Sequence, residues 1–331
     1  MILILSKSKK EETTNIVMDW LDHIEGDYYR LNGSDFLEKA DIGNGHIQFE
    51  DFNSEAINVV WNRRWSSETL INNENEQHYD ALGTRNGSAL LRSLRSENAI
   101  LRSYLLSKLL DKVWTTRPGK MSANKIRNLE IAKSCYLSVP EYIITSNKST
   151  LNQFAKKHKR IISKPISETP FFSSSVEGDI VESLILYTKS FTADQIEEEI
   201  SPTFFKSLFQ QQIIKEFEIR VFYLNDVCYS MAIFSQNDKQ TQVDFRNYNN
   251  KRPNRTVPFK LPIEVENNIK KFCKKAGYNI GSLDLIKSTD GKYYFLEINP
   301  VGQFGMVSFP CNYNLEKKLA KYLVDEDEKI K

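Results

Sequence analysis

No stretch of the 331 residues is apolar for long enough to span a bilayer, and the opening MILILSKSKK has an apolar run of five residues with its lysines behind it. A secretory signal needs the reverse order and a longer apolar core. Cysteine is scarce: the four stand at 135, 228, 273 and 311 and form no CxxC pair. That excludes a disulfide framework and points to reduced thiols in a cytoplasmic protein. The four histidines, His23, His46, His78 and His158, are equally scattered, so a His/Cys metal centre is not expected. Charge of one sign is also missing: 45 Lys+Arg against 43 Asp+Glu leaves +2. No global field therefore argues for nucleic acid or a membrane surface, although a local basic cleft is allowed. Gly33, Gly43 and Gly45 make no dinucleotide fingerprint, there is no internal repeat, and no Ser/His/Asp or Cys/His set offers a covalent nucleophile.

What remains is a sequence for two or three α/β domains. Ile2–Ser6 reads as a buried strand and leads into a helix that Thr13 or Thr14 would cap, with Ile16, Val17, Trp20 and Leu21 along one face. YYRLN (28–32), IQFE (47–50) and INVVWNRRW (57–65) read as further strands of an open α/β sheet. Residues 66–112 are helix-prone, and Leu90, Leu91, Leu94, Leu101, Leu105 and Leu109 form a stripe expected to be core. TTRPGKMSAN (115–124) is a turn-rich connector, and a second boundary is expected near Ser201–Pro202. The segments so delimited are 1–115, 116–201 and 202–331. Between them, the Ser-rich TPFFSSSVEGDI reads as a flexible loop, and FQQQIIKEFEIRVFYL (209–224) as one strand. The last helix, NLEKKLAKYLVDEDEKI, is expected to end in a solvated charged tail.

Chemistry concentrates in the last third. Glu297 and Asn299 stand two apart on the apolar strand YYFLEIN, and so share a face. The Asp-Gly turn at 290–291 folds GSLDLIKS back onto that strand and brings Asp284 opposite. Two carboxylates and an amide oxygen make an all-oxygen site suited to Mg²⁺. A surface hairpin with solvated acids fits the same residues. Lys164 closes the apolar strand IISK just before a proline, a place that suits a charge aimed at phosphate. Lys125 opens a helix, where a solvated lysine is the commoner reading, and gains interest only as part of a set. Arg220 lies inside an apolar strand and needs an anion, either a nearby Glu in a structural pair or a phosphate or acyl phosphate. Asp244 and Arg246, two apart in VDFRNYN, form either a salt-bridged loop or a binder of substrate carboxylate.

The order of these elements resembles the ATP-grasp superfamily, and within it the RimK-like peptide ligases that make graspetides such as microviridins. NKIRNLEIAKSCYLSVPEYIITS resembles the lysine-bearing helix and following strand of that family. IISKPIS resembles its second lysine strand, and FQQQIIKEFEIRV its adenine hinge, with Gln211 where an acidic residue is usual. VDFR resembles the D-W-R segment, with Phe245 in place of Trp. LDLI and FLEINPVGQF resemble the metal-binding strands, and VVWNRRW the W-x-R-R signature. The tail GQFGMVSFPCNYNLEKKLA is similar to the grasp-with-spasm peptide maturases, which work beside a SPASM-domain protein.

The resemblance implies an α/β (α+β) ATP-grasp fold. It would comprise an N-terminal open α/β domain, a small central α+β subdomain expected to hold the peptide, and a C-terminal antiparallel subdomain with the nucleotide cleft between the last two. It assigns the ATP phosphates to Lys125 and Lys164, and the adenine hinge to Gln210, Gln211 and Ile213, with Lys215 in support. Two Mg²⁺ go to Asp284, Glu297 and Asn299, the γ-phosphate to Arg220, and the peptide to Arg246 with Asp244. The loop around Ser173–Gly178 would close over the nucleotide. The implied activity is ATP-dependent macrocyclisation of a precursor peptide with leader and core, by a homodimer. A RimK-type amino-acid ligase and an inert peptide-binding scaffold on the same fold are the alternatives.

Overall fold

Ile2–Leu5 (β1) is buried at every position, as a strand with parallel neighbours on both sides must be. The structure is a computed structural model that describes all residues except 9–10, 34, 66–83, 168–170, 177–178, 186–187 and 248. From β1 the chain runs through α1 (Glu12–His23) to β2 (Tyr28–Leu31), then α2 (Asp35–Lys39) and a hairpin of β3 (Ala40–Gly43) and β4 (His46–Phe49). β5 (Val59–Asn62), α3 (Thr84–Lys108) and β6 (Val113–Trp114) follow. The strands form a parallel sheet in the order β2-β1-β5-β6. The opening βαβ unit is therefore present, with the hairpin outside the main sheet.

Three details differ from expectation. Neither threonine caps α1: Glu11 is the N-cap residue, its side chain makes no cap, and Thr14 lies in the first turn, donating its hydroxyl to Glu11 Oε2 at 3.1 Å. Of the leucine stripe, Leu105 and Leu109 are buried on the sheet, whereas Leu90, Leu94 and Leu101 are 38%, 37% and 37% exposed. Only the C-terminal turns of α3 reach the core, and the early part of the 66–112 segment lies outside the described residues. Finally, the last helix (Leu315–Glu328) packs on α1 and belongs to the first compact unit, Met1–Met121 with Asn314–Lys331. Its tail is not wholly solvated, since Asp327 is 2% exposed and accepts from Asn58 Nδ2 at 2.8 Å.

The second unit, Ser122–Tyr313, holds a four-stranded sheet, a five-stranded sheet and a two-stranded hairpin. It opens with α4 (Lys125–Ser134), β7 (Tyr142–Asn147), α5 (Lys148–His158) and β8 (Ile161–Lys164). β9 (Phe171–Val176) and β10 (Asp179–Ile185) pair antiparallel, so the Ser-rich stretch read as a loop is a hairpin. Gly178 lies outside the described residues. β11 (Lys189–Phe191), α6 (Ala193–Glu199) and β12 (Thr203–Gln211) complete the first sheet, ordered β11-β8-β12-β7. The remainder comprises β13 (Lys215–Leu224), β14 (Val227–Phe234), β15 (Arg255–Phe259), α7 (Ile263–Ala276), β16 (Ile280–Ser288), β17 (Tyr293–Asn299), α8 (Gly305–Cys311) and the last helix, α9. Its antiparallel sheet runs β15-β14-β13-β16-β17.

The 209–224 segment is thus two strands in two sheets. β12 still pairs with β7 and β8, and the chain changes sheet at Gln212–Ile214, not near Ser201–Pro202. One face of the larger sheet packs on α7 and α4 through Ile219, Val221, Leu283, Phe272, Phe295 and Leu129. The Asp290-Gly291 turn joins β16 to β17 with Gly291 at φ +89, a left-handed value that glycine adopts without strain.

Candidate nucleotide cleft

The cleft lies within the second unit, and its empty space, open mouth included, is about 660 Å³. Its apolar walls include Ile162, Ile213, Ile233, Val243 and Ile286, and its polar lining includes Lys164, Lys215, Glu218, Asp244, Arg246 and Asp284. Aliphatic side chains beside charged groups suit a nucleobase joined to phosphates.

Strand register builds the acidic wall. Asp284 on β16 is level with Glu297 on β17, and Ser282 with Asn299. On its other side Asp284 is level with Arg220 of β13. The expected hairpin geometry is therefore present. Arg220 Nη1 lies 2.5 Å from Asp284 Oδ1, the structural pairing with a carboxylate, here an aspartate. Asn299 does not line the cleft, and its Oδ1 accepts the Val301 N–H at 3.0 Å. No cluster of three His, Cys, Asp or Glu groups able to hold a metal occurs among the described residues. Of the three residues expected to hold metal, Asp284 and Glu297 line the cleft with their carboxylates.

Lys125, the first residue of α4, reaches Glu297 Oε2 at 3.2 Å and Pro165 O at 3.2 Å. Asn124 caps that helix through the Arg127 N–H at 3.0 Å, which fixes where Lys125 starts. Burial alone would raise the Glu297 carboxyl, but Lys164, Lys125 and Arg246 outweigh it and hold the group below the usual carboxylate range. Lys164 is held below the usual lysine range by burial first, and then by Arg246 and Lys125, against the pull of Glu297.

The hinge residues divide. Gln211, Ile213 and Lys215 line the cleft, but Gln210 does not. Gln210 is 1% exposed and buried between Tyr142 and Ile162, because side chains alternate along β12. Lys215 pairs with Glu218 and donates to Val243 O at 3.2 Å. Glu218 also accepts the Ser235 hydroxyl, and its carboxyl is raised by burial against the opposing pull of Lys215.

Asp244 and Arg246 do not lie on an extended strand. They occupy a turn, and the pair is bidentate: Arg246 Nε to Oδ1 at 2.9 Å and Nη2 to Oδ2 at 2.7 Å. Burial would raise Asp244, but Arg246 and the Thr188 N–H hold it far below the usual range. Thr188 donates its N–H and hydroxyl to Asp244 Oδ2 at 3.3 and 3.1 Å. Sequence reasoning missed Thr188, Glu218 and Ser235. Only Glu218 left a signal, as an acid inside the apolar run EFEIRVF.

No family model matches the sequence, and no curated protein matches it. Solved structures do. MdnC, a macrocyclase of Microcystis aeruginosa MRC bound with its precursor peptide MdnA, is 22% identical over 98% of this chain and 99% of that one, with a TM-score of 0.75. A RiPP-associated ATP-grasp ligase of Chryseobacterium gregarium, in complex with ADP and a leader and core peptide, is 21% identical over 100% and 97%, with a TM-score of 0.76. PsnB, an ATP-grasp ligase complexed with a phosphomimetic precursor variant, Mg and ADP, is 17% identical over 98% of both chains, with a TM-score of 0.73. This chain has the ATP-grasp fold. The segment Gln212–Ile214, between β12 and β13, joins the four-stranded sheet to the five-stranded one.

Proposed function

We propose that this chain is an ATP-dependent peptide ligase that crosslinks a ribosomal precursor peptide. Lys164 carries the reading. Glu297, Asp284, Asp244 and Glu218 each have a cation within 4 Å, namely Lys125, Arg220, Arg246 and Lys215, while Lys164 forms no ion pair among the described residues. A half-buried ammonium without an ion pair in the cleft calls for an anion from solution, and a nucleotide phosphate supplies one. MdnC and the Chryseobacterium ligase, whose named ligands are a precursor peptide and a leader and core peptide, support the choice of acceptor.

The reaction has two steps. A carboxylate oxygen of the peptide bonds to the γ-phosphorus of ATP as the bond to the β-bridging oxygen breaks, giving an acyl phosphate and ADP. A Ser or Thr hydroxyl, or a Lys amine, then attacks the acyl carbon, loses its proton and expels phosphate. The peptide loses one water overall. Lys125 and Lys164 hold the phosphates, and Gln211 and Ile213 flank the base. Arg220 neutralises charge near the γ-phosphate, and Arg246, held by Asp244, meets the peptide carboxylate. Asp284 and Glu297 fit Mg²⁺, which takes one or two carboxylates and completes its shell with phosphate oxygens and water. Such ions, two in this reading and held by Asp284 and Glu297, would offset the repulsion between the phosphates and the incoming carboxylate.

The partners belong to the same reading: a peptide with leader and core, a SPASM-domain protein, and a second copy of the chain, for which the exposed leucines of α3 offer apolar surface. The test is ADP release by purified protein with candidate peptides, together with intact mass. Loss of one water per event supports crosslinking. A gain of a residue mass supports the amino-acid ligase instead, and absence of ADP with every peptide supports an inert scaffold.

A further inference from the structure

Asp244 is held from two directions, and the two belong to different sheets. Arg246, two residues on in the same turn, grips it side-on. Its N–H and Nε donate to Oδ1 at 3.1 and 2.9 Å, and its Nη2 donates to Oδ2 at 2.7 Å. Thr188, just before β11, donates its N–H and hydroxyl to Oδ2 at 3.3 and 3.1 Å. A carboxylate offers about four lone-pair directions, and these contacts fill them. Asp244 therefore has no capacity left for a metal or a proton. What it can do is fix the groups that hold it to one another.

Strand register says which groups those are. β11 pairs antiparallel with β8, Lys189 level with Ser163 and Phe191 with Ile161. Carried one residue further, the register sets Thr188 level with Lys164. Residues level on neighbouring strands share a face, and both of these line the cleft. Asp244 and Arg246 sit in the connection between β14 and β15, two strands of the five-stranded sheet. The contacts thus run from beside Lys164 through Thr188 and Asp244 to Arg246, and tie a cation of one sheet to a cation of the other. Such a pair does not assemble unaided: after burial, Arg246 does most to hold Lys164 below the usual lysine range. The Asp244 clasp opposes that repulsion. Arg246 spends Nε and one side of Nη2 on Asp244, while its Nη1 has no partner among the described residues. A guanidinium clasped along one edge keeps the other as a planar fork for a second carboxylate.

We infer that Thr188 is a positioning residue: through Asp244 it sets the free edge of Arg246 against Lys164, so that a carboxylate held by the arginine faces a phosphate held by the lysine. Its purpose rests on the proposed ligase chemistry, and its existence on the contacts alone. A displacement of about 1 Å in such a site can cost about 100-fold, so a hydroxyl that touches no reacting atom still bears on the rate.

The test uses the full chain without nucleotide, titrated with acetylated, amidated Gly-Glu-Gly and its Gly-Gln-Gly counterpart, and follows the Arg246 Nε–H signal by NMR. The acidic peptide should shift that signal and the neutral one should not. Thr188→Val keeps the shape and the backbone donor but loses the hydroxyl. It should weaken binding of the acidic peptide about tenfold, the loss of one hydrogen bond to a charged group. Thr188→Ser keeps the hydroxyl and should retain most of the affinity. A hydroxyl that only steadies the turn predicts a lower thermal midpoint in Thr188→Val with peptide binding unchanged. That result, equal weakening in both variants, or the same response to both peptides would overturn the positioning role. ADP release with candidate precursor peptides is read separately: its absence sinks the ligase reading and leaves the part of Thr188 standing, and a failed titration does the reverse.

Discussion

Lys164 titrates inside the cleft, and its direction of shift gives a sign. Its folded pKa lies below the unfolded lysine value, so between the two the unfolded chain holds more protons, and this group's contribution to stability rises with pH through that window. Nucleotide phosphates favour the ammonium, so ADP affinity should fall through the same window, below the ordinary lysine value near 10.4. Calorimetry from about pH 7 to about pH 10 checks this. Lys164→Arg, which stays charged, should flatten the profile, and a flat wild-type profile would remove Lys164 from phosphate contact. Asp284→Ala or Glu297→Ala should abolish modification while peptide binding survives, measured by mass and by anisotropy of labelled peptide. Turnover retained in both variants would sink the Mg²⁺ assignment. Arg246→Ala should leave ADP affinity unchanged and lower the modification rate by about 100-fold or more, the usual loss on removing one preorganised donor. A wild-type rate would refute its role at the peptide.

At the scale of elements, the hinge between β12 and β13 decides whether the cleft exists. Lys215 and Glu218, each 7% exposed, hold its second strand to Ser235 and Val243. Lys215→Met leaves a buried carboxylate alone and should cost about 3–5 kcal/mol, while the double change Lys215→Met with Glu218→Leu should recover most of it. Denaturant midpoints of the four proteins in the cycle would check this, and additive losses would show that the pair is not coupled. The hinge also marks where sequence reading stopped. The β16–β17 hairpin was legible because Asp-Gly and strict alternation fix register locally. The break at 212–214 was not, because QQQIIKEFEIRV carries no Gly or Pro and both flanking segments favour strand. The Ser-rich hairpin and the turn at Asp244–Arg246 failed for related reasons: serines suit loops as well as edges, and DFRN reads alike as strand or turn. Thr188 and Ser235 become site residues only through contacts across more than 15 positions, which no local pattern encodes.

For the whole molecule, the decisive fact is that the chain leaves its first unit at Met121 and returns to it at Asn314. The cue was available in part: α9 has an apolar stripe of Leu315, Leu319 and Leu323, but its sequence does not say which unit that stripe covers. All three are fully buried, and the helix packs on α1, β1 and β5. Each buried leucine contributes about 2–5 kcal/mol, and a domain is stable by only about 5–15 kcal/mol. A chain ending at Tyr313 should therefore lose the first unit and keep the second, whose residues are all present. The four tryptophans, Trp20, Trp61, Trp65 and Trp114, all lie in the first unit, so their emission reports on it alone. Truncation should shift that emission to the red and remove its cooperative thermal transition, while ADP still binds the cleft. Native-like emission from the truncated chain would mean that the first unit stands without its last helix.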